Sequence, residues 1–225
     1  MRRLVDTDHG TENVAPTIRA AIFDWGGVIQ RTEDYGPRQQ LDEELGLPPG
    51  GIERAVFDSV FWREASLGAC SAAEAWSAIA ESVGYPPDRL AQLVERFFAG
   101  DRIDDVLLRW IRALGAQGLR TGLLSNAPGE SPPGVSALSR WGMEGLFDAQ
   151  VFSYQVGALK PDPRMYQAIL DALGVSPSEA LFVDDSAENV QGALQAGMDA
   201  ILFVARDVLW REFARRGLPI LLQES

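Results

Sequence analysis

The chain has 225 residues, of which 46% are hydrophobic and 23% are charged. This length and composition are typical of one globular domain, or of one domain with a large insertion, and they exclude disordered, fibrous and membrane-spanning classes. Twenty basic and 32 acidic residues give a net charge of −12, which argues against nucleic acid or an anionic membrane as the partner. No apolar stretch follows the two arginines near the N-terminus, so we expect a cytoplasmic protein.

Three residue types are rare in this chain. A single cysteine, Cys70, and a single histidine, His9, exclude an intrachain disulfide and a zinc-finger site. Of the 20 basic residues only Lys160 is a lysine, and the rest are arginines. A compact ammonium and a planar guanidinium are not equivalent at a tight site, although chance alone would also explain one lysine.

Short apolar runs predict the strands of a parallel sheet. Each run has the length and composition of a strand that is buried on both faces. The runs are Ala20–Phe23, Thr121–Leu124, Ala180–Val183 and Ala200–Val204. Beyond residue 118 they alternate with helical patterns, which predicts an α/β fold: a Rossmann-like parallel sheet with helices on both faces.

Two helix signals stand out in the second half of the chain. Ser176, followed by Pro177 and by Glu179 three residues after the serine, is typical of a capped helix N-terminus. The spacing of Val190 and Ala193 predicts a helix after the third apolar run, with Gly197 at its C-terminal end.

Between Gln30 and Gly118 the apolar residues recur at helical spacing, and no strand signal is present. The sets are Ile52/Val56/Val60, Trp76/Ile79/Val83, Leu90/Leu93/Val94/Phe97 and Val106/Leu107/Trp110/Ile111/Leu114. A stretch this long is not one structureless loop, so we predict an inserted all-α subdomain. The predicted organisation is a flexible arm over residues 1–17, a core over 18–32 and 117–225, and the helical insert over 33–116.

Polar residues follow three of the predicted strands: Asp24, Ser125 and the pair Asp184-Asp185. Because ligands bind beyond the carboxyl ends of parallel strands, we expect these residues to meet at one edge of the sheet. Asp24 precedes a glycine turn, which makes it approachable. Carboxylates placed this close together repel one another unless a divalent cation lies between them, and hard oxygen ligands favour Mg²⁺.

At this point the chain resembles a known family. Phe23-Asp24-Trp25-Gly26-Gly27-Val28, Leu124-Ser125-Asn126, Lys160-Pro161 and Phe182-Val183-Asp184-Asp185 are similar, in this order, to the motifs of the haloacid dehalogenase superfamily of hydrolases. The resemblance extends from Ile18 to about Phe203, and the helical insert lies where that family has its helical cap.

The resemblance implies a role for each motif. Asp24 would attack phosphorus and form an aspartyl-phosphate, which water then hydrolyses. Ser125 and Asn126 would hold phosphoryl oxygens or the neighbouring loop. Lys160 would neutralise charge on the nucleophile and on the phosphoryl group, as a catalytic and substrate-binding residue.

The resemblance also implies a magnesium site. Its ligands would be a carboxylate oxygen of Asp24, the backbone carbonyl of Gly26 and one of the paired aspartates. Most relatives use the second member of the pair, so Asp185 is expected to bind directly and Asp184 to lie behind it. The implied function is Mg²⁺-dependent hydrolysis of a small phosphate monoester, with a phosphorylated metabolite as substrate and the cap selecting it; the residues say nothing of oligomeric state.

Two residues depart from the family pattern. Gly26 stands where family phosphatases usually carry an aspartate that protonates the leaving oxygen, and Val28 replaces the usual threonine. Two alternatives therefore stay open: a weak or inactive relative that binds a phosphorylated ligand or a partner, and a metal-free 2-haloacid dehalogenase, against which the paired aspartates argue. Cap residues that follow the nucleophile turn, Glu33, Asp34, Tyr35 and Arg38, are candidates for substrate contact.

Overall fold

The computed structural model describes residues 17–129 and 145–220 of the protein. Of the arm predicted over residues 1–17, all but the last residue lies outside these ranges. No helix within them is long and apolar enough to cross a membrane.

A parallel sheet of five strands, in the order β5-β4-β1-β6-β7, forms the centre of the protein. Its strands are β1 (Ala20–Phe23), β4 (Arg120–Ser125), β5 (Ala149–Phe152), β6 (Ala180–Asp184) and β7 (Asp199–Leu202). Residues Ala21 and Phe23 of β1 face one hydrophobic cluster, whereas Ala20 and Ile22 face another. Because both faces of the strand are covered, every residue of β1 must be apolar, which is the pattern read from the sequence.

Helices cover both faces of this sheet. The helices within the described ranges are α1 (Gly36–Leu45), α2 (Gly51–Phe57), α3 (Val60–Ser66), α4 (Ala72–Ser82), α5 (Leu90–Phe98), α6 (Asp105–Ala116), α7 (Ser153–Val156), α8 (Pro163–Leu173), α9 (Ala187–Gln195) and α10 (Arg206–Arg215). Helices α6 and α10 contribute to one cluster, and α8 and α9 to the other. The prediction of an α/β fold with helices on both faces is confirmed.

The inserted segment was predicted to be all-α, but it also contains strand structure. Strands β2 (Gln30–Thr32) and β3 (Asp101–Ile103) pair antiparallel at its two ends and form a sheet of their own. Their residues are mostly polar and only half-buried, so no hydrophobic alternation marks them. The pairing depends instead on contacts between residues about 70 positions apart.

Helices α1 to α5 lie between these two strands and pack around a separate hydrophobic cluster that includes Leu41, Ile79 and Phe97. Helix α6 belongs with the sheet, because its buried residues, Trp110 among them, join the cluster around β1. Residues 105–116, which belong to the predicted insert, therefore pack with the sheet. The division of the chain into core and cap remains a prediction.

Two local predictions were wrong and one is confirmed. Val60 is exposed rather than buried with Ile52 and Val56, because the chain breaks between α2 and α3, where Ser59 caps the new helix. The capping box at Ser176 is present, but it starts only the short 3₁₀ helix Pro177–Glu179, which leads directly into β6. The helix predicted after β6 is α9, and Gly197 follows its end.

Candidate active site

Three strand ends bring the predicted polar residues together. Asp24 follows β1, Ser125 is the last residue of β4 and Asp184 is the last residue of β6. The strands pair in register, with Phe23 opposite both Leu123 and Val183. Each of Asp24, Asp184 and Asp185 offers a carboxylate oxygen within 4.8 Å of the others.

The turn after β1 orients the Asp24 carboxylate. The Trp25 N–H donates to Asp24 Oδ1 at 2.7 Å, and Lys160 Nζ lies 2.7 Å from the same oxygen. No hydrogen bond or ion pair from the described part of the chain uses Oδ2. One oxygen of this carboxylate is thus fixed, and the other is free to react.

The two glycines of the turn are not equivalent. Gly27 has a φ of 78°, and a Cβ there would lie 1.9 Å from Asp185 Oδ2, so only glycine fits. Gly26 does not have a positive φ, and no atom lies within 4 Å of where its Cβ would be. The backbone therefore requires glycine at position 27 and accepts a side chain at position 26.

Lys160 is the cation of the site. Its ammonium donates to the Leu124 carbonyl at 2.9 Å and to Asp184 Oδ2 at 2.7 Å, in addition to its contact with Asp24. Only 1% of its side chain is exposed, and the ammonium lies 5.4 Å from the centre of the Phe182 ring. The lysine therefore bridges two carboxylates from different strands in a space closed to solvent.

Ser125 and Asn126 act on different partners. The Asn126 side chain accepts from the Lys160 N–H at 2.8 Å and donates to the Lys160 carbonyl at 3.2 Å, so it holds the lysine loop. Of the two roles implied for Asn126, the geometry favours the loop over the phosphoryl oxygens. Ser125 is buried, yet within residues 17–129 and 145–220 its hydroxyl forms no hydrogen bond.

The two paired aspartates have opposite surroundings. Asp184 is fully buried, and its oxygens accept from Lys160, the Ser186 N–H and the Asn189 side chain. Asp185 is exposed and makes no such bond with a described residue. The free carboxylate is therefore that of Asp185, and that of Asp184 is already saturated.

The donor set fits a hard divalent cation. Three carboxylates converge, and Lys160 is the only ammonium that contacts them in the described ranges. The Gly26 carbonyl also accepts no hydrogen bond there. Carboxylate and carbonyl oxygens are ligands that Mg²⁺ accepts in proteins.

Two of these carboxyl groups have raised pKa values, chiefly because they are desolvated. Burial, together with the Asp184 carboxylate, raises the pKa of Asp24 to about 7 against the opposing effect of Lys160. Desolvation of its carboxyl group, together with Asp184, likewise raises the pKa of Asp185. A divalent cation between these groups would lower both pKa values by supplying positive charge.

The family follows from comparison of the whole chain. The model of the family described as haloacid dehalogenase-like hydrolases matches residues 18–197. The chain belongs to this hydrolase family. It is 32% identical over 83% of its length to a phosphatase of Mycobacterium tuberculosis, covering 87% of that protein. It is also 28% identical over 81% of its length to a sesquiterpene phosphatase of Aspergillus oryzae, covering 88% of it.

Solved structures share the fold of this haloacid dehalogenase-like hydrolase. A family enzyme of Bacteroides thetaiotaomicron in complex with magnesium matches with a TM-score of 0.65 and 22% identity, over 84% of this chain and 94% of that one. An L-2-haloacid dehalogenase of Xanthobacter autotrophicus matches with a TM-score of 0.61 and 21% identity, over 88% and 83% of the two chains. At this identity the likeness establishes the fold alone.

A cavity of about 520 Å³ lies between the α2–α3 region of the insert and two residues that neighbour Ser125 and Lys160 in the sequence. Its lining residues are Phe57, Asp58, Ser59, Trp62, Arg63, Ser66, Asn126 and Leu159. The sequence does not predict this wall, because the apolar spacing of this segment indicates buried helix faces and not a cavity. Phe57, the last residue of α2, is nevertheless 44% exposed.

One candidate for substrate contact is excluded by its surroundings. Arg38 is buried and donates to Glu53, Asp101 and the Phe97 carbonyl, so its guanidinium has a structural role. Glu33, Asp34 and Tyr35 are exposed, as the prediction requires, but none of them lines the cavity.

Proposed function

We propose that the protein hydrolyses a small phosphate monoester through an aspartyl-phosphate formed on Asp24. The observation that carries the proposal is the asymmetric fixing of Asp24: Oδ1 contacts Trp25 and Lys160, while Oδ2 is free among the described residues. A nucleophile needs this arrangement, because one oxygen is oriented and the other is available. Relatives named as phosphatases support this reaction class.

The reaction has two steps. Asp24 Oδ2 attacks phosphorus in line with the ester oxygen, the new O–P bond forms, and the bond to the alcohol oxygen breaks. The alcohol leaves with a proton from solvent or from the substrate itself, since Gly26 offers none. Water then attacks the phosphorus of the aspartyl-phosphate, which releases phosphate and restores the carboxylate.

Lys160 and Ser125 would act on the phosphoryl group. The ammonium, held by the Leu124 carbonyl and Asp184, lies beside the attacking carboxylate and offsets negative charge there. The Ser125 hydroxyl at the end of β4, which has no described partner, is free to donate to a phosphoryl oxygen.

Asp24, Asp185 and the Gly26 carbonyl would hold a magnesium ion, and Asp184 would support the site from behind. Asp185 is the free member of the pair, and the missing Cβ of Gly27 makes room for its carboxylate. When bound, Mg²⁺ would supply the positive charge that lets an anionic substrate approach this acidic cluster.

The proposal extends to the kind of substrate and to where the protein works. A net charge of −12 disfavours polyanionic partners, so we propose a free phosphorylated metabolite as the substrate. We also propose that the protein works in the cytoplasm. Nothing specific favours the dehalogenase reaction, and three converging carboxylates would repel an anionic haloacid without a metal.

The test compares Asp24→Asn with Asp88→Asn, a matched change of an exposed aspartate away from the site. Phosphate release from an aryl phosphate and from a panel of phosphorylated metabolites is measured with Mg²⁺ and again with chelator. We expect metal-dependent release by the wild type and by Asp88→Asn, and none by Asp24→Asn. Release by Asp24→Asn would refute the covalent route, and no release by the wild type would favour a binding protein.

A further inference from the structure

The cavity between the α2–α3 region and the neighbours of Ser125 and Lys160 has a partly aromatic wall. Phe57, Trp62 and Leu159 provide its apolar wall. Phe57 is 44% exposed, although its ring packs edge-to-face against Trp62 and Phe97. A large aromatic side chain left uncovered at the mouth of a cavity loses contact with water only when a ligand enters.

The polar lining residues are either paired within the protein or exposed to solvent, with one exception. Ser59 uses its hydroxyl to cap α3 and to donate to the Val56 carbonyl, and Asn126 is paired with the Lys160 backbone. Asp58 and Arg63 are exposed, so their charges are hydrated.

Ser66 is the exception among the polar lining residues. It is 3% exposed, it lines the cavity, and its hydroxyl has no partner in the described ranges. A sugar or a nucleoside would require several such groups, because each of its own hydroxyls loses water on entry.

We infer that this cavity holds the organic group of the substrate and that this group is apolar, so that the substrate is the phosphate ester of an aliphatic or aromatic alcohol. The inference rests on the proposed function for the phosphate half. Its own basis is the aromatic wall, the single free hydroxyl of Ser66, and the position of Asn126 and Leu159 next to Ser125 and Lys160.

Two substrate comparisons test the inference while keeping the leaving group a simple alkyl alcohol. In the series ethyl, butyl and hexyl phosphate, kcat/KM should rise by up to about fourfold per methylene, the factor that corresponds to full burial of a CH₂ group. In the second comparison, 2-methylbutyl phosphate should exceed glycerol 1-phosphate, which has the same shape with two hydroxyls in place of carbon atoms, by at least tenfold. Equal rates or a preference for glycerol 1-phosphate would overturn the inference.

Variants locate the effect in the cavity. Ser66→Leu fills it, and Ser66→Ala leaves it open. We expect Ser66→Leu to lower kcat/KM for hexyl phosphate at least tenfold more than it lowers kcat/KM for acetyl phosphate. If Ser66→Leu fails to fold, Phe57→Asn takes its place, with Val60→Asn as the matched change of an exposed apolar residue that does not line the cavity. A loss that is the same for acetyl phosphate, or the same in the matched control, would overturn the assignment.

Failure of the proposed function would be recognised separately. If no ester and no acetyl phosphate is hydrolysed, calorimetric binding of hexylphosphonate and ethylphosphonate decides. Tighter binding of the hexyl compound that is lost in Ser66→Leu would support the apolar cavity in a protein that only binds. Equal binding of the two phosphonates, or no binding of either, would overturn it.

Discussion

Single residues decide the chemistry at the turn after β1. The positive φ and the contact with Asp185 make glycine obligatory at position 27, whereas position 26 has ordinary backbone angles and open space. The backbone angles and the surrounding space therefore do not require glycine at position 26. Its effect should appear wherever the leaving group needs a proton.

Gly26→Asp should fold with a free energy of unfolding within about 0.5 kcal/mol of the wild type, as exposed substitutions usually do. It should raise the ratio of alkyl to aryl phosphate turnover at least tenfold, because a positioned acid contributes about 10²–10⁴-fold where the leaving alkoxide must be protonated. Steady-state kinetics on both ester classes measure the ratio.

Gly26→Asn is the matched control, since its amide has the same shape but transfers no proton. A stable Gly26→Asp protein whose ratio equals that of Gly26→Asn would show that proton transfer at this position does not limit the rate. Gly27→Ala, in contrast, should lower the free energy of unfolding, because alanine is strained at a φ of 78° and its Cβ would displace the Asp185 carboxylate.

A substitution of Lys160 that keeps the positive charge is not expected to keep the function. Its ammonium fits between the Leu124 carbonyl, Asp24 and Asp184 with 1% of the side chain exposed. Lys160→Arg keeps the charge but adds a larger planar group to a filled space, and overpacking of this kind costs about 1–3 kcal/mol.

We expect Lys160→Arg to lower kcat/KM at least tenfold and to shift the urea midpoint downward. A second Lys→Arg exchange cannot serve as the control, because the chain has no other lysine. Leu159→Met, a volume-conserving change at the neighbouring position, tests whether the loop itself is sensitive. Wild-type kinetics in Lys160→Arg would mean that the lone lysine has no special role.

At the scale of elements, a polar network joins the turn after β1 to the helical insert. The Trp25 indole N–H donates to Gln30 at 2.6 Å, and Gln30 donates to Asp101 at 2.8 Å. Arg38, at the start of α1, donates to the same aspartate at 2.9 Å. The side-chain contacts that join β2, β3 and α1 are thus polar, and Asp101 is their common acceptor.

Arg38→Lys should reduce the free energy of unfolding by about 2 kcal/mol, because a lysine cannot replace all of its bonds to Phe97, Glu53 and Asp101 and so leaves buried polar groups unpaired. Urea denaturation gives the change. Arg54→Lys is the control, since Arg54 is exposed and donates only to the Pro49 carbonyl. A loss no larger than that of Arg54→Lys would show that the network contributes nothing to stability.

The same contrast explains which elements the sequence predicts. Strands β1, β4 and β6 are marked by continuous apolar runs, because they lie in the interior of a covered sheet. Strand β7 also has an apolar run, although it is an edge strand with one buried residue, Ile201. Strand β5 lies at the sheet edge with one buried residue, Val151, and β2 and β3 depend on the Gln30 and Asp101 contacts, so local composition does not reveal them. The capping-box pattern at Ser176 also predicts a full helix. That helix does not form, because β6 begins directly after the 3₁₀ helix Pro177–Glu179.

The candidate site divides in the same way. Residues at strand ends, such as Asp24 and Asp184, are predicted by position alone, since parallel strands must end at one edge. The pairing of Asn126 with the Lys160 backbone, the burial of Arg38 and the cavity wall at Phe57 arise from contacts between distant segments. Periodicity along one element contains no information about such contacts.

At the scale of the whole molecule, the negative net charge lowers stability through repulsion between carboxylates. The chain carries a net charge of −12, and three of its carboxylates lie within 4.8 Å of one another. Any salt screens the general repulsion. An ion bound at the carboxylate cluster adds a specific stabilisation, which amounts to about 2.7 kcal/mol at a concentration 100 times its Kd.

Magnesium at that excess should raise the Tm by about 5–10 °C, since each kcal/mol shifts a domain of this size by roughly 2–4 °C. Potassium chloride of equal ionic strength should give a much smaller shift, and chelator should reverse the magnesium effect. Thermal unfolding followed by circular dichroism measures all three without requiring activity. Equal shifts with the two salts would mean that screening alone is at work.

Asp185→Asn distinguishes specific magnesium binding at the carboxylate cluster from general screening of the surface charge. Removing one of three mutually repelling carboxylates, the one with no described partner, should leave the metal-free protein as stable as the wild type or slightly more stable, while abolishing the magnesium shift. Asp184→Asn should instead lower the Tm without metal, because Lys160, Ser186 and Asn189 lose a buried acceptor. If Asp184→Asn keeps its Tm and Asp185→Asn keeps the magnesium shift, the two aspartates exchange roles, and the direct ligand is the buried one.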